Sequence, residues 1–218
     1  MGFIKCTAGA LLDLSPDSIN RSDEELQKKP EILILAGSIR TGSFSQRFAD
    51  AYAGNLVNHE CVITRVTLSD YPLPMMNEDL EKESGVPENA IKLARLFHQN
   101  DGVVMVTPEY NGSFPPLLKN TIDWVSRVSS YNGKPVIPYR NKICAIAASS
   151  PGAMGGISSL AHLRDVLVRL GMLVISEQMA LGNAAKAFDH MDKLTNERSA
   201  AMLESACTSL VEKARLLS

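Results

Sequence analysis

Glu31-Ile32-Leu33-Ile34-Leu35-Ala36-Gly37-Ser38-Ile39-Arg40-Thr41-Gly42-Ser43-Phe44-Ser45 changes character halfway along. Residues 32–36 are an unbroken apolar run, as expected of a strand buried on both faces of a parallel sheet. From Gly37 the chain turns small and hydroxylic, with one arginine, and Phe44, Phe48 and Tyr52 then recur at helical spacing. Strand, tight loop and helix in immediate succession make the first half of a parallel crossover unit.

Outward from this stretch the pattern repeats. Apolar runs at residues 103–106, 143–148 and 172–175 predict three more buried strands. Residues 61–67 alternate instead, with Val62, Thr64 and Val66 set against Ile63, Arg65 and Thr67, which suits an edge strand with one wetter face. Between the strands, Ile91, Ala94 and Phe97, then Leu118, Ile122 and Val125, mark helices by their core-facing stripes. Further helices are predicted over 157–170 and 192–216. The expected architecture is an α/β three-layer sandwich with a five-stranded parallel sheet in the order 2-1-3-4-5, the flavodoxin-like type. Residues 129–140 read as a long loop in which Pro135 and Pro138 forbid a regular helix. Residues 1–30 read as a poorly ordered or exposed N-terminal extension, and 31–218 as the domain.

Bulk properties exclude several classes. The 218 residues are 45% hydrophobic and 21% charged, with a net charge of −2, so no general positive field favours nucleic acid or a membrane surface. No apolar run approaches the roughly 18 residues of a membrane span. The short apolar stretch near the N-terminus soon meets Asp13, against a signal peptide, and Cys6 stands where a myristoylation pattern wants Ser or Thr after Gly2. Cys6, Cys61, Cys144 and Cys207 lie far apart, which argues against a zinc site, an iron–sulfur site or a disulfide scaffold. Cys61 and Cys144, in apolar runs, are expected to be buried, reduced thiols of a cytoplasmic protein.

In an open parallel sheet, ligands bind beyond the carboxyl ends of the strands. Three loops there carry unusual chemistry. In the first, Ser38, Thr41, Ser43 and Ser45 offer hydroxyls, Arg40 a forked positive charge, and the helix start near Ser43 free amides. This composition suits a single phosphate group; helix capping by Ser43 needs only one of these hydroxyls. The lysine of a P-loop is missing, and so is the GxGxxG spacing. The second loop runs from Thr107 through Pro108, Glu109, Tyr110, Asn111, Gly112 and Ser113 to Pro115 and Pro116. It can present backbone amides to a planar ring, or be simply a tight connection into a helix that opens at Pro116. The third, with Ser149, Ser150, Pro151, Gly152, Gly155 and Gly156, is a close-approach loop or a flexible connection.

At these loops the sequence resembles the NADPH-dependent FMN reductase family, which includes quinone, azo-dye and chromate reductases and the arsenic-resistance flavoproteins. The resemblance rests on Gly37-Ser38-x-Arg40 with the following serines and on Pro108-Glu109-Tyr110-Asn111-Gly112-Ser113. It extends to Leu118-Lys119-Asn120-x-Ile122-Asp123-Trp124 and to Ser150-Pro151-Gly152 with Gly155-Gly156, and covers residues 31–176. It implies an FMN phosphate held by Ser38, Arg40, Ser43 and Ser45 with Gln46 close by. It further implies a ring lined by Pro108, Glu109, Tyr110 and Asn111, and a covering edge from Ser150, Gly152 and Gly155. NADPH, or NADH, is the implied donor, with transfer of two electrons in a ping-pong cycle to a small quinone, azo, flavin or metal-oxyanion acceptor. A homodimer or homotetramer is also implied, and residues 71–79 match a loop that can reach the flavin or a partner subunit. Pro116 stands where many relatives have glycine. The chemistry belongs to the flavin, so no catalytic side chain and no metal is expected, and His59, His98, His162 and His190 are given no role. The competing readings are a flavodoxin-like electron carrier and an FMN-binding regulatory protein without turnover.

Overall fold

The computed structural model describes residues 29–217. The extension expected over residues 1–30, with its signal and acylation readings, lies up to residue 28 outside the described residues, as does Ser218. The main sheet is built from β1 (Glu31–Ala36), β2 (Val62–Val66), β3 (Gly102–Thr107), β6 (Ile143–Ser149), β7 (Leu173–Val174) and β8 (Met179–Leu181). Its order is β2-β1-β3-β6-β7, with β8 also paired to β6, and every pairing in it is parallel. This is the flavodoxin-like arrangement anticipated above. The three central strands are buried almost throughout, whereas β2 is exposed at its start, as its alternating sequence requires of an edge.

Helices cover both faces. Ile32, Ile34, Val104, Val106, Ala145 and Ala147 turn toward α1 (Phe44–Leu56) and α6 (Glu197–Leu217). Leu33, Leu35, Val103, Met105, Cys144 and Ile146 turn the other way, toward α3 (Glu88–Gln99), α4 (Pro116–Ser126) and α5 (Ile157–Arg169). The period-two split of each apolar run between two cores is what makes both faces of the sheet interior.

Five details depart from the sequence reading. The fifth strand, expected over 172–175, comes in two pieces. Leu173 and Val174 pair with Ile143 and Cys144; Met179, Ala180 and Leu181 pair with Ala147, Ala148 and Ser149. Where the chain leaves the ladder, the Arg164 guanidinium takes over its carbonyls, donating to Val174 O at 3.1 Å and Ile175 O at 2.6 Å. Residues 129–140 are not a plain loop: β4 (Ser130–Tyr131) and β5 (Lys134–Pro135) form a small antiparallel hairpin. Its turn residues Asn132 and Gly133 have φ of 50° and 73°, the conformation a two-residue hairpin turn demands. An additional helix, α2 (Glu78–Ser84), begins inside the segment read as a loop, with Asn77 capping the Asp79 amide at 2.8 Å and Glu78, Asp79 and Glu81 at its positive end. The last helix starts at Glu197 rather than Asp192, because Asn196 caps it and the chain before it is committed to a bridge between Phe188 and Leu194. Cys144 and Cys207 are buried free thiols, but Cys61 is only half-buried, since β2 lies at the sheet edge. Burial pushes the Cys144 thiol well above its ordinary pKa.

Candidate active site

At the carboxyl ends of β1, β3 and β6, the three loops meet around a cleft of about 270 Å³. Its first wall is the start of α1. Ser43 is the N-cap, accepting from the Gln46 amide at 3.2 Å, and its Oγ lies 2.9 Å from Ser45 Oγ. The Arg40 amide donates to Ser38 Oγ at 3.3 Å. Ser38, Ser43 and Ser45 are all buried, while Arg40 is exposed and its guanidinium donates to Thr41 O at 3.2 Å. Three sequestered hydroxyls, the amides of a helix start and an exposed cation converge on the cleft.

The second wall is made by Pro108, Glu109 and Tyr110. Tyr110 and Ser113 exchange both backbone hydrogen bonds, at 2.8 and 3.1 Å, around Asn111 and Gly112 with φ of 51° and 78°. The Tyr110 ring is 52% exposed and also faces a second cleft of about 240 Å³ formed with Ile39, Pro115, Pro116 and Leu117. The third wall is Ser149, Ser150 and Pro151. Ser149 Oγ is buried and has no hydrogen-bond partner. A shielded hydroxyl left unmatched costs about 1–3 kcal/mol, and its place in a cleft lining makes a bound polar group its natural partner.

Of the twelve residues singled out in the sequence, eight line this cleft: Ser38, Arg40, Ser43, Ser45, Pro108, Glu109, Tyr110 and Ser150. The other four sit behind it. Gln46 Nε2 donates to Ser38 O at 2.5 Å, and its Oε1 accepts from Arg65, so this side chain braces the first loop. Asn111 occupies the turn. Gly152 lends its carbonyl to the Asn183 amide at 3.1 Å. Gly155, at φ 66°, packs so closely on β8 that a Cβ would lie 2.6 Å from the Ala180 carbonyl carbon. Phe44, read from sequence only as a helix residue, also lines the cleft, as do Ser149 and Pro151, which were placed in the third loop but not singled out as cofactor contacts. Sequence reasoning gave no site role to Arg65, which ties Gln46 to Asp50, bonding the latter at 2.9 Å. Residues 71–77 pack along α4, where Trp124 Nε1 and Asn120 Nδ2 donate to Pro74 O at 2.7 and 2.9 Å. Among the described residues, no cluster of three or more His, Cys, Asp or Glu is placed to hold a metal ion.

A cleft walled by three loops at the carboxyl ends of the strands, at the switch in strand order, marks a flavodoxin-like protein. Comparison with known proteins narrows the class. The model of the NADPH-dependent FMN reductase family matches residues 30–186, and the chain belongs to that family. It is 34% identical to a quinone reductase of Escherichia coli K12 over 172 residues, covering 79% of this chain and 86% of the relative. It is 33% identical to a 2-hydroxy-1,4-benzoquinone reductase of a Burkholderia species over 150 residues, 67% of this chain and 75% of the relative. Among solved structures, the flavoenzyme NAD(P)H:acceptor oxidoreductase FerB of Paracoccus denitrificans superposes with a TM-score of 0.72 at 25% identity, covering 86% of this chain and 98% of that one. The chain is therefore an oxidoreductase of the NAD(P)H-dependent FMN reductase type, with FMN as its flavin. Among the described residues, no helix is long and apolar enough to cross a membrane.

Proposed function

We propose that this protein passes two electrons from NADPH or NADH to a small acceptor in a ping-pong cycle, donor and acceptor entering the same cleft in turn. Quinones head the candidate acceptors, with azo compounds, free flavin and metal oxyanions behind them; the relatives named for quinone reduction support that order. The observation that carries the reading is the meeting, in one cleft, of the hydroxyl-rich start of α1 with the loops after β3 and β6.

The residues present suit FMN. The Ser38, Ser43 and Ser45 hydroxyls and the α1 amides would hold its phosphate, with Arg40 adding charge-assisted bonds. Pro108, Glu109 and Tyr110 would lie against one side of the ring, and Ser149 with Ser150 would meet its polar edge. Asn111, Gly152, Gly155 and Gln46 support these walls from behind. When bound, FMN supplies the hydride chemistry; the chain's part would be to hold and orient it. The same reading places the protein in the cytoplasm, where thiols such as Cys61, Cys144 and Cys207 stay reduced, as a homodimer or homotetramer.

An absorbance spectrum of the purified protein tests this. A flavin spectrum that bleaches on anaerobic addition of NADPH and returns with a quinone is expected. A protein that takes up no FMN overturns the reading; one that binds FMN but is bleached only by a partner reductase makes it a carrier.

A further inference from the structure

We infer that the first two turns of α5 are the anchor that fixes Tyr110 over the cleft, and that Glu109, Ser113 and His162 are the positioning residues that attach it. The consequence for the flavin rests on the reading just given; the attachment itself does not.

Helix α5 opens at Gly156, whose φ of 88° is left-handed and which has no capping side chain of its own. The exposed amides of a first turn need acceptors. One comes from a different strand's loop: Glu109 Oε2 accepts from the Ser159 amide at 3.0 Å. The carboxylate thereby sits at the positive end of the helix, where its charge is favoured. One turn further along the same face, His162 Nδ1 lies 3.1 Å from Ser113 Oγ. The loop after β3 is thus fastened to α5 on both sides of Tyr110.

What lies between the fastenings is stiff. Tyr110 and Ser113 close a two-residue turn with a pair of backbone bonds, and Asn111 and Gly112 already hold the positive φ that such a turn needs. A stiff turn with one anchor could swing about it; with two, it has one orientation. Its half-exposed aromatic ring borders both clefts, so the anchor on α5 sets the width of the slot between the second and third walls. The connection also makes these two walls one mechanical unit, because α5 grows directly out of the third loop.

The test combines amide exchange on the FMN-free protein with FMN titration and visible circular dichroism of the loaded protein, for Glu109→Ala, Glu109→Gln and Ser113→Ala. In Glu109→Ala, the amides of residues 113 and 159 should exchange faster together, FMN should bind about tenfold more weakly, and the flavin dichroism should change. Glu109→Gln keeps an acceptor and should restore most of the affinity and dichroism. Ser113→Ala should move the same observables in the same direction, by less, and it carries the test if Glu109→Ala does not fold. Faster exchange at residue 159 with residue 113 unchanged would overturn the anchor. So would wild-type dichroism in both alanine variants. If the wild-type protein takes up no FMN, the proposed function fails, while the exchange data still decide the anchor.

Discussion

The first and third loops line one cleft, yet they differ in how much of their support comes from elsewhere in the chain. The loop at the start of α1 is held largely by its own side chains: Ser43 serves the Gln46 amide, Ser38 the Arg40 amide, and Ser45 lies on Ser43, with Arg65 of β2 steadying Gln46 from outside. The loop after β6 has internal bonds too, Gly152 N donating to Ser150 Oγ at 3.2 Å and Gly155 N to Gly152 O at 3.4 Å, but it also leans on a distant segment. Ser150 N donates to Leu181 O, Asn183 N to Gly152 O and Ala184 N to Ser150 O, all at 3.1 Å, and Gly155 and Gly182 pack against backbone across the gap. A binding surface made of local hydrogen bonds can be altered residue by residue. One borrowed from a distant strand fails as a block.

That contrast can be broken experimentally, and the largest effect is expected at the segment that supports the third loop. A Cβ at Gly182 would lie 2.3 Å from the Ala153 oxygen, so Gly182→Ala must push β8 and the third loop apart. It should lower stability by about 1–3 kcal/mol and also weaken FMN binding, measured by chemical denaturation and flavin fluorescence. An unaltered FMN affinity would show that the third wall is dispensable. Arg40→Ala should leave denaturation unchanged and weaken FMN retention by roughly 1.5–3 kcal/mol, the size of a charge-assisted hydrogen bond. Equal binding by the variant removes Arg40 from the phosphate site. Ser43→Ala removes a helix cap as well as a hydroxyl, so a stability loss of about 1 kcal/mol should accompany weaker FMN binding. Asn77→Ala is the comparison: it removes a cap of the same kind from α2, none of whose residues lines the cleft. It should cost no more than about 1 kcal/mol of stability, with FMN affinity intact.

The same contrast explains what could be read from sequence. The runs at β1, β3 and β6 were legible because a strand buried on both faces must be apolar without interruption. The first loop was legible because its chemistry is contiguous. β8 was not: three residues, Met179 to Leu181, are too short to carry a period, and their partners lie thirty-two residues upstream in β6. α2 escaped because none of its residues is buried, which leaves no apolar stripe to find. The hairpin in residues 129–140 did have a signal, Asn132 followed by Gly133, that the two prolines obscured. Within the site, Glu109 lines the cleft, but a sequence cannot show that its carboxylate reaches the Ser159 amide on another element.

The divided fifth strand also bears on how the protein behaves in a crowded solution. A long, straight outer strand would expose a continuous rank of unpaired amides and carbonyls, an invitation to edge-to-edge aggregation. Here that rank stops after Leu173 and Val174, a guanidinium occupies the next carbonyls, and pairing resumes only at Met179. The same break that hides the strand from a reader of the sequence shortens the template available to a neighbouring chain.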